Sequence, residues 1–250
     1  MLRRGLLCHF KVTLVLMCLM SFLGCSNITS ESGEDLVNNS IEAHGGHGAF
    51  QELASVSFTK ATRLYKEDGT LESETFQEQS FTLLPEYFLV IKWRDGNDEH
   101  QITYDRKHVI KLVNNVNVEG EVAAQIALKL ALSAEYVFFQ PFKLIDKNGK
   151  LSYQGKQKVG DSIETSVVAI KYEDDSQSPD AWRYYFDTNY RLVAASVEHN
   201  DRISLIENLD FQRYKGILFN KVRKSYFVDS AFQKKQLRAE YRYDIIDTRQ

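Results

Sequence analysis

Glu42–Phe58 reads EAHGGHGAFQELASVSF, and three kinds of backbone meet inside it. Before it, Leu36 to Ala43 sets Leu36, Val37 and Ile41 on one side of a short helix. Gly45-Gly46 stops that helix, because glycine takes the left-handed conformation of a helix end without strain. His47 to Ala54 allows another helical turn or two, and from Ser55 the pattern becomes that of a strand. The histidines that flank the glycines pose a second reading, half of a metal site. A zinc site takes three or four ligands, and two glycines between His44 and His47 disfavour a continuous helical turn. His100, His108 and His199 stand isolated on strand candidates, and no His-Glu-x-x-His motif occurs. The glycines are the informative residues, and no metal or cofactor is expected.

Downstream of Ser55, strand candidates follow one another with turn signals between them. SVSFTKATRLYK ends at Asp68-Gly69, and YFLVIKW alternates with Tyr87, Leu89, Ile91 and Trp93 on one face. AWRYYFD puts Trp182, Tyr184 and Phe186 on one face and Tyr185 on the other. Roughly eleven strands result, mostly joined by short connections that force antiparallel pairing. The expected fold is mainly β (α+β): a single curved antiparallel sheet or incomplete barrel. Short N-terminal helices and one apolar central helix would close it.

That central helix spans Glu119 to Phe139, EGEVAAQIALKLALSAEYVFF. Glu121, Gln125, Lys129 and Ser133 make one narrow polar stripe, and nearly everything else is Ala, Val, Ile or Leu. Such a helix is expected to be covered on most sides, as it would be on the concave face of a sheet. Lys129 in its middle and its short apolar run argue against a membrane span. Pro141 ends it.

The chain's first residues read as a targeting segment. Arg3, Arg4 and Lys11 precede VTLVLMCLMSFLG, Val12 to Gly24, an apolar run of signal-peptide length. SFLGC resembles the bacterial lipoprotein signal, in which cleavage falls before a cysteine that takes a lipid. The alternative is an ordinary secretory signal cut nearby. The cysteines are Cys8, Cys18 and Cys25, and a lone cysteine at a cleavage site is better explained as an anchor than as a bridge. Residues 1–24 are expected as signal peptide, 25–35 as a lipidated flexible tether, and 36–250 as one folded domain. Ser26 does not match the aspartate of the enterobacterial inner-membrane retention signal, so the resemblance implies the outer membrane. Without Arg3, Arg4 and Lys11 the chain has 28 basic against 34 acidic residues, net −6. That balance argues against a nucleic-acid surface.

Catalytic patterns are sparse. Gly-x-Ser-x-Gly is absent, no glycine-rich phosphate loop joins a strand to a helix, and the Asp174-Asp175 pair reads as solvated loop carboxylates. The chain is expected not to be an enzyme. In their order, EAHGGHGAFQELASVSF, FFQPFKLIDKNGKLSYQGKQKVGD and WRYYFDTNYRLVAA, spread over about Asp35 to Asp247, resemble the LolA/LolB superfamily of lipoprotein carriers. The likeness is greatest to the LolA-like lipoproteins of Bacteroidetes-type bacteria. The resemblance implies a half-barrel around an apolar cavity that takes acyl chains. Cys25 would tether this chain at the outer membrane, facing the periplasm, where the soluble carriers shuttle. Partners would be the membrane, acyl chains or lipoproteins, and another envelope protein if the core is filled. Expected cavity residues are Tyr87, Leu89, Ile91, Trp93, Ile126, Leu130, Phe138, Phe139, Trp182, Tyr184 and Phe186.

Overall fold

Ser32 opens the first helix. The structure, a computed structural model, describes residues 32–145, 149–159, 163–172 and 180–246. The signal peptide, Cys25, the tether up to Glu31 and Asp174-Asp175 lie outside the described residues. Helix α1 (Gly33–Ala43) begins ahead of its apolar face because Ser32 and Asp35 form a capping box. The Asp35 N–H donates to Ser32 Oγ and the Ser32 N–H to the Asp35 carboxylate, each at 3.1 Å. The last residues of the expected tether are therefore a helix cap and first turn. Leu36, Val37 and Ile41 are fully buried, as their spacing requires.

Gly45 and Gly46 have φ of 123° and 85° and turn the chain into α2 (Gly46–Gln51). A Cβ on Gly45 would stand 2.7 Å from the carbonyl oxygen of Gly216. Only glycine lets the backbone pass so close to the Lys215-Gly216 turn. The adjoining Leu218 N–H donates to the His44 carbonyl at 2.8 Å, fixing the helix pair to the sheet.

Thirteen strands follow, in two series. The first is β1 (Ser55–Tyr65), β2 (Leu71–Thr82), β3 (Phe88–Asp95), β4 (Asp98–Tyr104), β5 (Val109–Val113) and β6 (Val116–Asn117). Helix α3 (Glu121–Phe138) intervenes. The second series is β7 (Gly149–Val159), β8 (Ile163–Tyr172), β9 (Ala181–Phe186), β10 (Leu192–His199), β11 (Arg202–Tyr214), β12 (Ile217–Val228) and β13 (Lys234–Ile246). All join one curved, unclosed antiparallel sheet in the order β6-β5-β4-β3-β2-β1-β13-β12-β11-β10-β9-β8-β7. The count exceeds the expected eleven; the two-residue β6 is too short to carry an alternation of its own.

Among the described strands one pairing is non-consecutive. β1 lies against β13, with Ser57 opposite Ile246 and Leu64 opposite Ala239. The chain thus meanders out to one edge at β6 and resumes at the opposite edge at β7. α3 is the connection between those edges, and its 18 residues give it a length of about 27 Å.

Alternation then sorts the side chains. Phe58, Phe81, Leu89, Ile91, Ile102, Val168, Tyr184, Phe186, Phe219 and Tyr243 share the main core. Tyr185, of the other parity, joins a smaller cluster with Val167, Ala194, Leu205 and Val228.

The expected covering of the central helix on most sides is not what forms. Val122 is 71% exposed and Ile126 51%. The residues turned inward are Ala127, Ala131, Glu135 and Phe138, a line along one face. Two alanines let the helix approach closely, and Glu135 fixes its rotation. The flanking aliphatic rows are left outside.

Candidate functional site

α3 is held by its last turns. Arg106 grips the Glu135 carboxylate with both terminal nitrogens, at 2.7 and 2.6 Å. Lys143 Nζ approaches the same group at 2.6 Å and the Tyr87 hydroxyl donates to it at 3.0 Å. The Arg106 guanidinium also lies 3.6 Å over the Tyr87 ring, a cation–π contact. Burial works to raise the Glu135 pKa, but hydrogen bonds from Arg106 and Lys143 outweigh it and hold the carboxyl below its ordinary value. Burial, with the adjacent Glu135 charge, pushes the Tyr87 phenol up, so it stays a donor. On the other flank the Tyr136 and Tyr184 hydroxyls meet at 2.7 Å, tying α3 to β9.

Beyond these ties the helix end is wedged by aromatics. Phe138 stacks on Phe58 at 3.9 Å and on Phe219 at 4.9 Å between ring centroids. Phe139 meets Phe81 edge-on at 5.0 Å, and Phe142 stacks on Phe50 of α2 at 4.4 Å.

The wedge does not fill the concave face. A cavity of about 380 Å³ lies between α3 and the sheet. Leu130, Ser133, Ala134 and Val137 line it from the helix, and Ile91, Trp93, Ile102, Trp182, Val197, Ile206, Tyr241 and Tyr243 from the strands. Leu130 is 44% exposed, which puts it at the mouth. Polar side chains share the lining: Lys60, Gln77, Gln79, Gln140, Ser204, Arg223 and Ser225. Arg223 is 5% exposed, and its Nε has no hydrogen-bond partner among the described residues.

Of the eleven residues expected at a cavity, the structure brings Ile91, Trp93, Leu130 and Trp182 together there. Leu89, Phe138, Phe139, Tyr184 and Phe186 are buried in the packed core beside it. Tyr87 belongs to the Glu135 cluster, which borders a separate cleft of about 240 Å³. Ile126 lies on the exposed side of α3. A larger hollow, about 700 Å³, lies along β2 to β4. Its lining includes Glu74, Glu78, Lys92, Arg94 and Glu99, and Arg94 and Glu99 pair with each other. Five charged side chains line that hollow, so the more apolar cavity beneath α3 is the better ligand site.

Sequence reasoning missed Glu135, Lys60 and Arg223. Each carries a readable signal. Glu135 falls in line with Ala127 and Ala131 on an otherwise apolar stretch, and Lys60 has the strand parity of Val56 and Phe58. Arg223 has the parity of the buried Phe219.

The two histidines of the opening stretch part company. His44 is buried, its Nδ1–H donating to the Ser40 carbonyl at 2.8 Å, while His47 is exposed. Burial pushes the His44 imidazole below its ordinary value, against the opposing Ser40 bond. Among the described residues no cluster of three or more His, Cys, Asp or Glu side chains is placed to hold a metal, and no helix is long and apolar enough to cross a membrane.

No protein-family model and no curated protein matches the chain. Solved structures do. A DUF1329 family protein from Desulfovibrio piger ATCC 29098 superposes with a TM-score of 0.52 at 8% identity, over 86% of this chain and 90% of that one. A putative outer membrane lipoprotein-sorting protein domain from Vibrio parahaemolyticus gives 0.49 at 7% identity, over 86% and 92%. At such identities a likeness is one of fold, and the chain shares the curved, unclosed antiparallel sheet of the DUF1329 family protein.

Proposed function

We propose that this protein is a non-enzymatic binding protein of the bacterial envelope that takes a hydrophobic ligand into the cavity beneath α3. The observation that carries the reading is the cavity itself: about 380 Å³, walled by Ile91, Trp93, Ile102, Trp182 and Ile206, with Leu130 at its mouth. Pockets of roughly 300–1,000 Å³ hold small ligands, so this one accommodates a single chain or ring system. Apolar burial at about 25 cal/mol per Å² supplies affinity without a dedicated partner for each atom. The sequence resemblance to the LolA/LolB superfamily and the lipoprotein-type SFLGC signal add the cellular setting. In this reading Cys25 carries the lipid and the domain is held at the outer membrane, facing the periplasm, handling lipid or lipoprotein.

Native mass spectrometry of the full chain extracted from membranes tests the ligand half. A co-purifying lipid supports it. No co-purifying lipid, together with no fluorescence gain from a dansylated fatty acid, would sink it. Radiolabelled palmitate fed to wild type and Cys25→Ser tests the anchor, and equal labelling would exclude it.

A second reading has its own support. Val122 and Ile126, one helical turn apart on α3, are both exposed, and neither lines the cavity. Such a pair fits a sensory or structural lipoprotein that docks a protein partner. Val122→Asp and Ile126→Asp would then abolish partner capture and leave lipid uptake intact.

A further inference from the structure

Arg223 is a buried cation without a partner among the described residues. It is 5% exposed, lines the cavity, and forms no hydrogen bond or ion pair among the described residues. Its nearest strand neighbours are Tyr241 on β13 and Asn208 on β11. Asn208 directs its amide N–H to the Leu192 carbonyl instead. A guanidinium withdrawn from bulk water and left unpaired is costly, and buried arginines are ordinarily matched by carboxylates.

A second cation faces the same space. Lys60 Nζ lies 5.7 Å from the Tyr241 ring centroid and 5.9 Å from that of Tyr243, held by aromatic faces and by no carboxylate among the described residues. No aspartate or glutamate is among the described residues that line the cavity. The chain as a whole is acidic, with 34 Asp and Glu against 31 Lys and Arg. Two cations without a counter-charge among the described residues, in one cavity of an acidic protein, are a site that lacks its anion.

We infer that the cavity's ligand is a single-chain amphiphile with an anionic head, a carboxylate or a phosphate, which Arg223 and Lys60 bind while its apolar part lies along Trp93, Ile102, Trp182 and Ile206. This rests on the reading of the cavity as a ligand site and names the ligand class. Arginine's planar fork binds a carboxylate or phosphate through two parallel bonds, and lysine adds a point charge. The volume of about 380 Å³ limits the apolar part to one chain. A lipoprotein's multi-chain anchor would not fit without displacing α3.

Titration calorimetry on delipidated full-length protein tests this with four probes: dodecanoate, dodecyl phosphate, dodecan-1-ol and inorganic phosphate. Wild type is expected to bind at least one of the two anionic amphiphiles ten or more times more tightly than the alcohol. The tighter of the two identifies the head, and inorganic phosphate alone should bind at least a hundredfold more weakly. Arg223→Met and Lys60→Met should each remove most of the preference, by weakening the anionic amphiphiles and not by tightening the alcohol. Arg223→Lys should restore part of it, and circular dichroism confirms that each variant is folded; if Arg223→Met does not fold, the Lys60→Met and Arg223→Lys results decide.

Equal affinity for alcohol and anionic amphiphiles would overturn the inference and leave the cavity reading standing. A preference that survives these substitutions would also overturn it. Inorganic phosphate binding as tightly as the amphiphiles would overturn the single-chain ligand. Binding of none of the probes would overturn both the inference and the reading beneath it.

Discussion

The cluster around Glu135 and the cavity that holds Arg223 treat a buried charge in opposite ways. Glu135 is 4% exposed and receives Arg106, Lys143 and Tyr87. Arg223, 5% exposed, receives nothing among the described residues. Both are of nearly equal burial, so burial alone does not separate a structural charge from a functional one. The separation lies in the partners. A charge with its partners in place holds an element where it is. A charge without them waits for something to arrive.

Substitutions break this contrast most sharply at its two centres. Glu135→Ala has the largest expected effect. Breaking a buried pair costs roughly 3–5 kcal/mol, but the Arg106 and Lys143 side chains keep 42% and 34% exposure and regain water. A loss of about 2–3 kcal/mol is expected, read from the urea midpoint. A loss below about 0.5 kcal/mol would show that the cluster does not hold α3.

Arg223→Met should move stability the other way, by about 1 kcal/mol in the delipidated protein, because it removes an unpaired buried charge. The same midpoint measures it, and destabilisation by that amount would mean that Arg223 has a structural role.

Acid separates two further groups by where each acts. The His44 imidazole is held below its ordinary 6.5. Its contribution is present above that value and is lost as pH falls through the folded-state pKa, since the unfolded chain takes up the proton first. The Glu135 carboxyl is held below its ordinary 4.5. Its contribution is likewise present above that value and fades as pH falls through the folded one. Melting temperature should therefore decline in two stages on acidification. His44→Phe should flatten the first stage and Glu135→Gln the second. A decline unchanged in both variants would assign it to other groups.

Leu130→Lys has the smallest expected effect, within about 0.5 kcal/mol, because Leu130 is already 44% exposed. Unfolding of that variant would place Leu130 in the packing and not at the mouth.

What the sequence discloses follows from the range of each signal. Gly45-Gly46 marks a helix end within four residues, and strand alternation sorts Tyr184 from Tyr185; both are local and both hold. The antiparallel sheet follows from short connections. The rotation of α3 does not, since it depends on Arg106, 29 residues away from Glu135 in the chain. Counting apolar residues around the helix predicted coverage, whereas the ion pairs of Glu135 with Arg106 and Lys143 decide which side is covered. Lys60 and Arg223 meet one cavity only because β1 pairs with β13, the single non-consecutive pairing among the described strands. Parity marks each as inward, and nothing local says that they share a space.

An unclosed sheet also has two edge strands, and edge strands invite other copies to add on. β6 offers only two residues for that. β7 is longer, but it carries Lys150, Lys156 and Lys158, and its register slips between Tyr153 and Lys156. A second β7 laid alongside would set lysine near lysine and lose its hydrogen-bond ladder at the bulge. The opening that leaves room under α3 is thereby kept from becoming a seed for fibrils: at one end by brevity, at the other by charge.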